Sequence, residues 1–317
     1  METPSTPDEA EPAADFFKPT FALILFLSLL ACTYSGKKTG KEQALLRSDT
    51  GHITDEKKPL AIAKKKKARA KKKIYLTFDD GPNKGTKNVL DIVQEENIPA
   101  TFFIVGEHVF ASHGQRRDWN RLITAENIEI CNHSYTHAHN RYDHFYELPE
   151  TVVKDMEKTR EILLPATIIV RAPGRNSWRI DSLQYTDIKK SKLAMDSLQK
   201  AGFIVMGWDL EWRYDPKTFQ VQNTADEMLT MIDSAFAQKR MRYPNNLVLL
   251  AHDQVYHSSG DSLQLRTFIQ KLKNRDDYEL SLVSAYPAIR KHHLITDTIK
   301  TVAPAADTAK PVRMDTL

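Results

Sequence analysis

The chain is predicted to be an α/β protein, a distorted (β/α)7 barrel that occupies residues 72–290 of 317. Short apolar runs alternate with segments of helical spacing along this part of the chain, which gives seven strand and helix units. Because the runs are apolar on both faces, they are expected to form a parallel sheet covered by helices. Seven units within about 215 residues suit a small, irregular barrel better than an open sheet.

The first predicted strand begins at Lys72 and alternates through β-branched and aromatic residues until Gly81-Pro82 ends it. Six further strands are predicted at residues 99–106, 128–132, 167–171, 203–208, 247–251 and 279–283. Apolar residues recur every three to four positions between them, which predicts helices at residues 87–97, 116–127, 150–164, 191–201, 224–237 and 262–272. Residues 180–190 are too polar for a core and are expected to form a loop insertion near the site.

The basic residues are concentrated in one tract. Ten of them lie between Lys57 and Lys73 without an acid, so the net charge of +4 leaves −6 for the rest of the chain. Residues 33–71 are Lys-rich and lack an apolar period, which predicts a flexible tether, and residues 291–317 are expected to be a disordered tail. No aromatic residue interleaves the basic tract. We therefore expect a spacer that contacts anionic envelope polymers rather than nucleic acid, and we expect no protein partner.

Residues 1–32 are interpreted as a signal peptide. The apolar run at residues 21–31 is too short to span a bilayer comfortably and fits the h-region of such a peptide. The run ends in Leu29-Leu30-Ala31-Cys32, which resembles a bacterial lipobox, so Cys32 is the expected lipidation site. An uncleaved signal anchor and a plain secretory signal are the alternatives. All three interpretations predict an exported protein. A lipid anchor or an uncleaved signal anchor would also hold it to the membrane of the bacterial envelope, in the periplasm or at the surface.

Polar side chains suited to catalysis follow the predicted strands at their carboxyl ends. Asp79 and Asp80 close the first strand, and adjacent side chains point in different directions, so one can hold a metal while the other takes a proton. His133 and His137 follow the third strand and lie four residues apart, as on one face of a helical turn. Two histidines and one carboxylate leave coordination positions open, which is typical of catalytic rather than structural metal sites.

Three further motifs follow the fourth, fifth and sixth strands: Arg171-Ala172-Pro173-Gly174, Asp209-x-x-Trp212 and Leu250-x-His252. Together with Thr77-Phe78-Asp79-Asp80-Gly81 and His133-Ser134-Tyr135-Thr136-His137, they resemble the five ordered motifs of the polysaccharide deacetylases. This family is carbohydrate esterase family 4, and its fold is the NodB-homology distorted barrel. The resemblance covers roughly residues 72–285, and the first two motifs together are highly specific.

The resemblance implies a metal site and two proton-transfer groups. Asp80, His133 and His137 would bind a divalent metal, usually Zn²⁺ and in some members another ion such as Co²⁺. Asp79 would be the general base that activates the attacking water, and Arg171 would hold it ionised, since a nearby cation lowers the pKa of a carboxylate. His252 would be the general acid, and Asp209 would tune it. The Gly174 N–H would donate a hydrogen bond to the oxyanion.

The resemblance also implies a substrate pocket. Trp212 and Leu250 would wall a space for the acetyl methyl group, with Pro173 beside them. Tyr135 would either line the cleft or pack inside the fold, and Trp208 is expected in the core. Many members have an aromatic residue where this chain has Gly174, so a ring that faces the sugar is lost at that position.

These roles imply a metal-dependent enzyme that removes N-acetyl groups from an envelope polysaccharide, with peptidoglycan or a chitin-like polymer as substrate. An esterase that removes O-acetyl groups from a xylan-type glycan is the alternative within the same family. A tethered glycan-binding protein that keeps a metal without catalysis is a third hypothesis. The presence of Asp79, Arg171 and His252 argues against this third hypothesis.

Overall fold

The computed structural model describes residues 71–164, 167–287 and 289. The predicted signal peptide, the lipidation site Cys32 and the predicted tail lie outside these residues, as does the tether up to residue 70. The boundaries assigned to these segments therefore stay predictions.

Ten strands and eight α-helices make up the described part of the chain. The strands are β1 Lys72–Gly81, β2 Ala100–Ile104, β3 Ile128–Asn132, β4 Ile169–Val170, β5 Ser177–Ile180, β6 Leu183–Thr186, β7 Ile204–Val205, β8 Leu210–Glu211, β9 Asn246–His252 and β10 Tyr278–Leu280. The helices are α1 Thr86–Glu95, α2 His108–Ala111, α3 His113–Leu122, α4 Tyr142–Tyr146, α5 Pro149–Leu163, α6 Lys192–Lys200, α7 Ala225–Ala237 and α8 Ser259–Lys273. None of the described helices is both long and apolar enough to cross a membrane.

The strands form one curled sheet in the order β6-β5-β7-β4-β3-β2-β1-β9-β8, and β10 pairs with the start of β1. All pairs from β7 to β8 are parallel, whereas β5 is antiparallel to both β6 and β7. This confirms the predicted α/β fold of the distorted barrel type. The curl is a half-barrel, because no pairing among the described strands joins β8 to β6.

β1 occupies the centre of the sheet because both of its faces are apolar. Ile74, Leu76 and Phe78 pack with α1, α3, α7 and α8 on the helical side. Tyr75 points to the opposite side, where it joins the cluster inside the curl that includes Phe103. A third cluster lies beneath α5 and α6. Burial on both faces fixes β1 firmly, and its carboxyl end therefore places the two aspartates at a rigid position of the rim.

The prediction of a loop at residues 180–190 was wrong for its first half. β5 and β6 form an antiparallel hairpin there, with Ile180 paired to Leu183. Arg179 is buried on β5, where its guanidinium donates hydrogen bonds to Asp196 and to the carbonyl oxygens of Trp178 and Tyr185. Arg179 can be buried because Asp196 and the carbonyl oxygen of Tyr185 accept its hydrogen bonds. These partners lie apart from Arg179 in the sequence, so the sequence alone gives no sign that this polar segment is folded.

Candidate active site

The carboxyl ends of the parallel strands surround a cleft of about 740 Å³. Adjacent strands are in parallel register there, so that Asp79 on β1 lies directly opposite His252 on β9. The cleft contains seven of the residues predicted from the motifs: Asp79, Asp80, His133, His137, Gly174, Leu250 and His252. The structure thus brings together side chains that are up to 173 positions apart, while their catalytic roles stay predictions.

Asp80, His133 and His137 form the one group of potential metal ligands found among the described residues. Asp80 Oδ1 lies 3.1 Å from His137 Nε2 and 3.4 Å from His133 Nε2. One ligand atom from each residue lies within 4.8 Å of the others. Asp80 has a φ of 76°, a left-handed conformation that turns its side chain away from the line of β1.

The surroundings of the three side chains suit a divalent ion. His133 Nδ1 lies 2.9 Å from the carbonyl oxygen of Arg171, so it carries the proton and leaves the lone pair of Nε2 directed at the site. Burial raises the pKa of Asp80, but its interactions with the neighbouring imidazole groups of His133 and His137 outweigh burial and hold the pKa of this carboxylate well below its usual range. Two imidazole nitrogens and one carboxylate are a donor set that Zn²⁺ and related ions accept.

Asp79 is held by a buried arginine. Arg171 Nη1 lies 2.7 Å from Asp79 Oδ1 and also donates to Thr77 Oγ1, while Nη2 donates to the carbonyl oxygen of Gly207. The ring of Phe103 lies 4.0 Å from the guanidinium carbon. Each of these contacts limits the motion of a fully buried cation. Asp79 Oδ2 therefore has a defined position, 3.7 Å from His133 Nε2 on the side of the ligand triad.

The prediction that Asp209 tunes His252 was wrong. Asp209 Oδ1 accepts a hydrogen bond from the backbone N–H of Arg242, and Oδ2 accepts one from Val248. Val248 precedes His252 by four residues on β9, a distance of about 13 Å along a strand. Burial raises the pKa of Asp209 to about 6 even though both N–H donors oppose the rise. Its contacts are those of a residue that ties β9 to the segment before it.

Glu211, two residues further along the chain, lies in the cleft instead. It pairs in register with Leu250 on β9, two residues before His252. Side chains two apart on a strand share a face, so Asp209 and Glu211 both point into the curl, one level apart. The signal that distinguishes them is the pairing register of β8 against β9, which the sequence alone does not contain.

The two tryptophans of this segment have the opposite roles from those predicted. Trp212 is fully buried in the helical layer, where its ring contacts Tyr256 and Phe268 and its Nε1–H donates to the carbonyl oxygen of Asn223. Trp208, which was expected in the core, lines the cleft together with Leu250. The apolar wall predicted for the cleft therefore exists, with Trp208 in place of Trp212.

Two further residues considered for the pocket, Pro173 and Tyr135, do not line the cleft. Pro173 is buried, and its carbonyl oxygen accepts a hydrogen bond from Tyr146 rather than facing the cleft. Tyr135 is half-buried outside the cleft, which agrees with the packing role that the sequence left open, and Lys158 Nζ lies 3.6 Å from the centre of its ring. Its ring also lies so close to Gly106 that a Cβ there would be 2.5 Å from Tyr135 Cδ2.

An aromatic ring covers Gly174 from another part of the chain. Gly174 has a φ of +62°, and a Cβ on it would lie 3.2 Å from Tyr142 Cε1. Tyr142 lines the cleft, and its hydroxyl lies 3.5 Å from His137 Nδ1. Tyr142 on α4 thus places an aromatic ring beside Gly174, where many family members have an aromatic residue in the motif itself. The sequence around Gly174 contains no pattern that predicts this contact.

Other cleft residues were also missed from the sequence. Tyr214 and Phe219 come from the connection between β8 and α7, and Gln254 follows His252 by two positions. Gln254 Nε2 donates to Asp80 Oδ2 at 3.2 Å and to the hydroxyl of Tyr214 at 3.3 Å. The proximity of Gln254 to a motif residue could have pointed to it, whereas the two aromatic residues lie in a stretch without a recognisable motif.

The chain is similar to known polysaccharide deacetylases. The family model described as polysaccharide deacetylase matches residues 66–180. The putative polysaccharide deacetylase YheN of Bacillus subtilis (strain 168) is 26% identical over 232 residues, which cover 66% of this chain and 76% of the relative. A chitooligosaccharide deacetylase of Rhizobium leguminosarum bv. trifolii is 33% identical over 114 residues, 35% of this chain and 49% of the relative. The chain therefore spans about half the length of this second relative.

Among solved structures, a carbohydrate esterase family 4 (CE4) esterase from Streptococcus mutans aligns with a TM-score of 0.49 and 24% identity. The alignment covers 67% of this chain and 86% of that one.

Proposed function

We propose that this chain, a member of the polysaccharide deacetylase family, hydrolyses the acetamide groups of N-acetylhexosamine units in an envelope polysaccharide in a metal-dependent reaction. One observation carries the proposal: a single cleft contains a ligand triad, an arginine-bound carboxylate and a histidine on the neighbouring strand. Ion site, base and acid are the three groups that amide hydrolysis by this route needs.

The chemistry follows from the positions of these groups. A divalent ion held by Asp80, His133 and His137 would polarise the acetyl carbonyl and make water more acidic. Asp79 takes the proton of the attacking water at Oδ2, because Oδ1 is bound to Arg171. His252 gives a proton to the leaving nitrogen. The C–N bond breaks, and the products are acetate and a free amine.

The Gly174 amide is the proposed donor to the oxygen that becomes negatively charged. The left-handed backbone at Gly174 and the ring of Tyr142 beside it fix the position of this peptide at the edge of the cleft. Leu250 and Trp208 supply the apolar surface for the acetyl methyl group. A small apolar wall close to the reacting carbonyl favours acetyl over longer acyl groups.

Peptidoglycan is the proposed polymer, with a chitin-like glycan as the second candidate, and the envelope is the proposed location. The lipobox-like end at Cys32 and the Lys-rich tether support this, since a lipid-anchored enzyme on a flexible spacer stays beside the cell wall. Replacement of Cys32 by Ser, followed by fractionation of cells, tests the anchor. Recovery of the Cys32→Ser protein in the membrane fraction would contradict it.

Acetate release by purified, metal-loaded protein tests the activity itself. Soluble N-acetylglucosamine oligomers are compared with O-acetylated xylan oligomers, for the natural protein and for the variants Asp79→Asn and His252→Ala. We expect release from the N-acetyl substrates and its loss in both variants. An oxygen leaving group needs less protonation than nitrogen, so a larger loss for His252→Ala on N-acetyl substrates would identify His252 as the acid. Undiminished release by both variants would refute the mechanism.

A further inference from the structure

The connection between β8 and α7 presents two aromatic rings to the cleft. Tyr214 and Phe219 both line it, with ring centres 5.9 Å apart and planes inclined by 18°. Both side chains are only partly buried. None of the motifs discussed above includes either residue, and the mechanism described so far uses neither of them.

The loop that carries the rings is tightly organised. Tyr214 forms an antiparallel bridge with Val221, so residues 214–221 close on themselves. Within the loop, Asp215 Oδ1 accepts hydrogen bonds from the N–H groups of Lys217 and Thr218, and the Asp215 carbonyl oxygen accepts one from Phe219. The rings are thus held in place before any ligand arrives, which reduces the entropy lost on binding.

Phe219 adopts a backbone conformation that aromatic residues rarely take. Its φ is +54°, in the left-handed region. Such outliers persist where the surrounding structure enforces them, and they occur preferentially at functional sites. Here the enforced conformation results in a ring that lines the cleft while it also packs against the edge of the core.

Polar groups surround the two rings on the side of the reacting centre. The ring of Tyr214 lies 5.1 Å from that of His252, and its hydroxyl accepts a hydrogen bond from Gln254. Lys84 Nζ lies 4.6 Å from the centre of the Phe219 ring. Two aromatic rings with a hydroxyl and an amide beside them, and an ammonium group over one ring face, match the two kinds of surface on a pyranose, its C–H face and its hydroxyls.

The geometry points to Tyr214 and Phe219 as a binding subsite for a pyranose ring next to the sugar that is deacetylated. The assignment rests on the proposed function for its substrate class, and it adds that the enzyme recognises a chain of sugars rather than one. A ring stacked there lies on the His252 side of the cleft, close to the group assigned as the acid.

Kinetics with metal-loaded protein test the subsite. The substrates are the N-acetylglucosamine tetramer and 4-nitrophenyl acetate, an ester without a sugar. Phe219→Ala is expected to raise KM for the tetramer about 3- to 10-fold, and its effect on the ester is expected to be at least about 3-fold smaller. Phe219→Trp keeps a flat ring and is expected to retain most of the affinity for the tetramer.

Phe110→Ala is the matched control. Phe110 is an exposed phenylalanine that also lies beneath a cation, since Arg116 is 4.7 Å from its ring centre, but it is not part of the cleft. We expect the kinetics of Phe110→Ala to equal those of the natural protein. Equal tetramer kinetics for the Phe219 and Phe110 variants would overturn the subsite, as would equal losses on tetramer and ester.

A binding measurement separates this inference from the proposed function. Calorimetric titration of the tetramer into the metal-loaded Asp79→Asn protein, with and without Phe219→Ala, needs no turnover. Weaker binding in the double variant supports the subsite even if the natural protein releases no acetate. A lack of acetate release would refute only the proposed deacetylase activity. Equal binding by both proteins would refute the subsite.

Discussion

Asp79 and Asp80 are neighbours in sequence, but they have almost no partners in common. Asp80 faces His133 and His137 and receives a hydrogen bond from Gln254. Asp79 is bound to Arg171. The left-handed turn at Asp80 separates the two carboxylates, so a pair that looks redundant in sequence has two distinct environments.

The two aspartates are therefore expected to respond differently to the same substitution. Asp80→Asn removes a charged ligand and should weaken binding of Zn²⁺ about 10-fold or more. Asp79→Asn should leave metal affinity unchanged and lower turnover by about 10²- to 10⁴-fold, because the base is lost. Titration of apoprotein with Zn²⁺, together with acetate release, measures both effects. An equal loss of metal affinity in the two variants would contradict the division of roles.

The part of the site that could be predicted from the sequence is the part carried by contiguous motifs. Asp80, His133 and His137 meet as expected because strand ends in a parallel sheet share one edge. Glu211 and Trp208 were missed in favour of Asp209 and Trp212. A shift of one or two positions along β8 changes the face or the depth of a side chain, and only the pairing with β9 fixes that register.

At the scale of secondary-structure elements, the turn after β4 restricts Gly174 in two ways, through its positive φ and through the ring of Tyr142. Gly174→Ala should cost about 1 kcal/mol of stability and lower kcat/KM about 10-fold or more, since the proposed oxyanion donor must move. Thermal unfolding and acetate release are the measurements.

Gly202→Ala is the control for the backbone effect alone. Gly202 has a φ of +85°, and a Cβ there would meet nothing within 4 Å. Its substitution should therefore lower stability by a similar amount without a loss of activity. If Gly202→Ala and Gly174→Ala reduce activity equally, the effect is one of stability and the role of Gly174 is refuted.

Asp253 connects the turn after β9 to the loop between β1 and α1. It is fully buried and accepts hydrogen bonds from the side chains of Asn83 and Thr86. Burial raises the pKa of Asp253 to about 8, and the negative charge of Asp80 adds to the rise. The carboxyl group is therefore protonated at neutral pH, which suits a position packed against the backbone of Gly81.

The stability of the domain should consequently depend on pH through Asp253. Between the unfolded pKa of about 4 and the folded value of about 8, the folded state binds a proton that the unfolded chain releases, so stability falls as pH rises. In the Asp253→Asn variant, the fall in the free energy of unfolding over this pH range should be smaller by on the order of 1–3 kcal/mol. Urea unfolding of the apoproteins at several pH values between 5 and 9 measures it. Parallel pH curves for the two proteins would show that Asp253 does not titrate in this range.

For the molecule as a whole, the cleft is acidic. Its lining includes Asp79, Asp80, Glu107, Asp187 and Glu211, and none of the lining residues is a lysine or an arginine. Arg171 and the proposed ion would offset the two aspartates, and Lys84 over the Phe219 ring would offset one more charge, so the three remaining carboxylates still outnumber the cations near a ligand. Such a cleft favours neutral or amine-bearing glycans over those with carboxylates.

Hydrolysis should therefore be slower on oligomers that contain uronate units than on neutral ones of equal length. The difference should shrink as salt rises from about 0.02 M to about 0.5 M, because ions screen the cleft. Glu107→Gln should reduce the discrimination, whereas Glu126→Gln, at an exposed position outside the cleft, should not. Initial rates across the salt series decide this. A salt-independent ratio of rates would contradict an electrostatic origin.

The alternation of apolar strands and helices was enough to predict the class of fold, because each strand had to be buried on both faces. The open curl and the β5–β6 hairpin were not predictable in the same way. They depend on residues such as Arg179, whose partners lie apart from it in the chain. Local patterns describe the elements, whereas contacts between elements decide how far the sheet closes.

Arg171 contacts both His133 and Asp79, so substitutions near it are expected to affect two parts of the site together. Its carbonyl oxygen orients His133, and its guanidinium orients Asp79, so one residue directly after the two-residue strand β4 supports both the proposed ion site and the proposed base. Any movement of β4 displaces both together. Selection or engineering that alters the proposed metal site at this strand is thus expected to alter the proposed base at the same time.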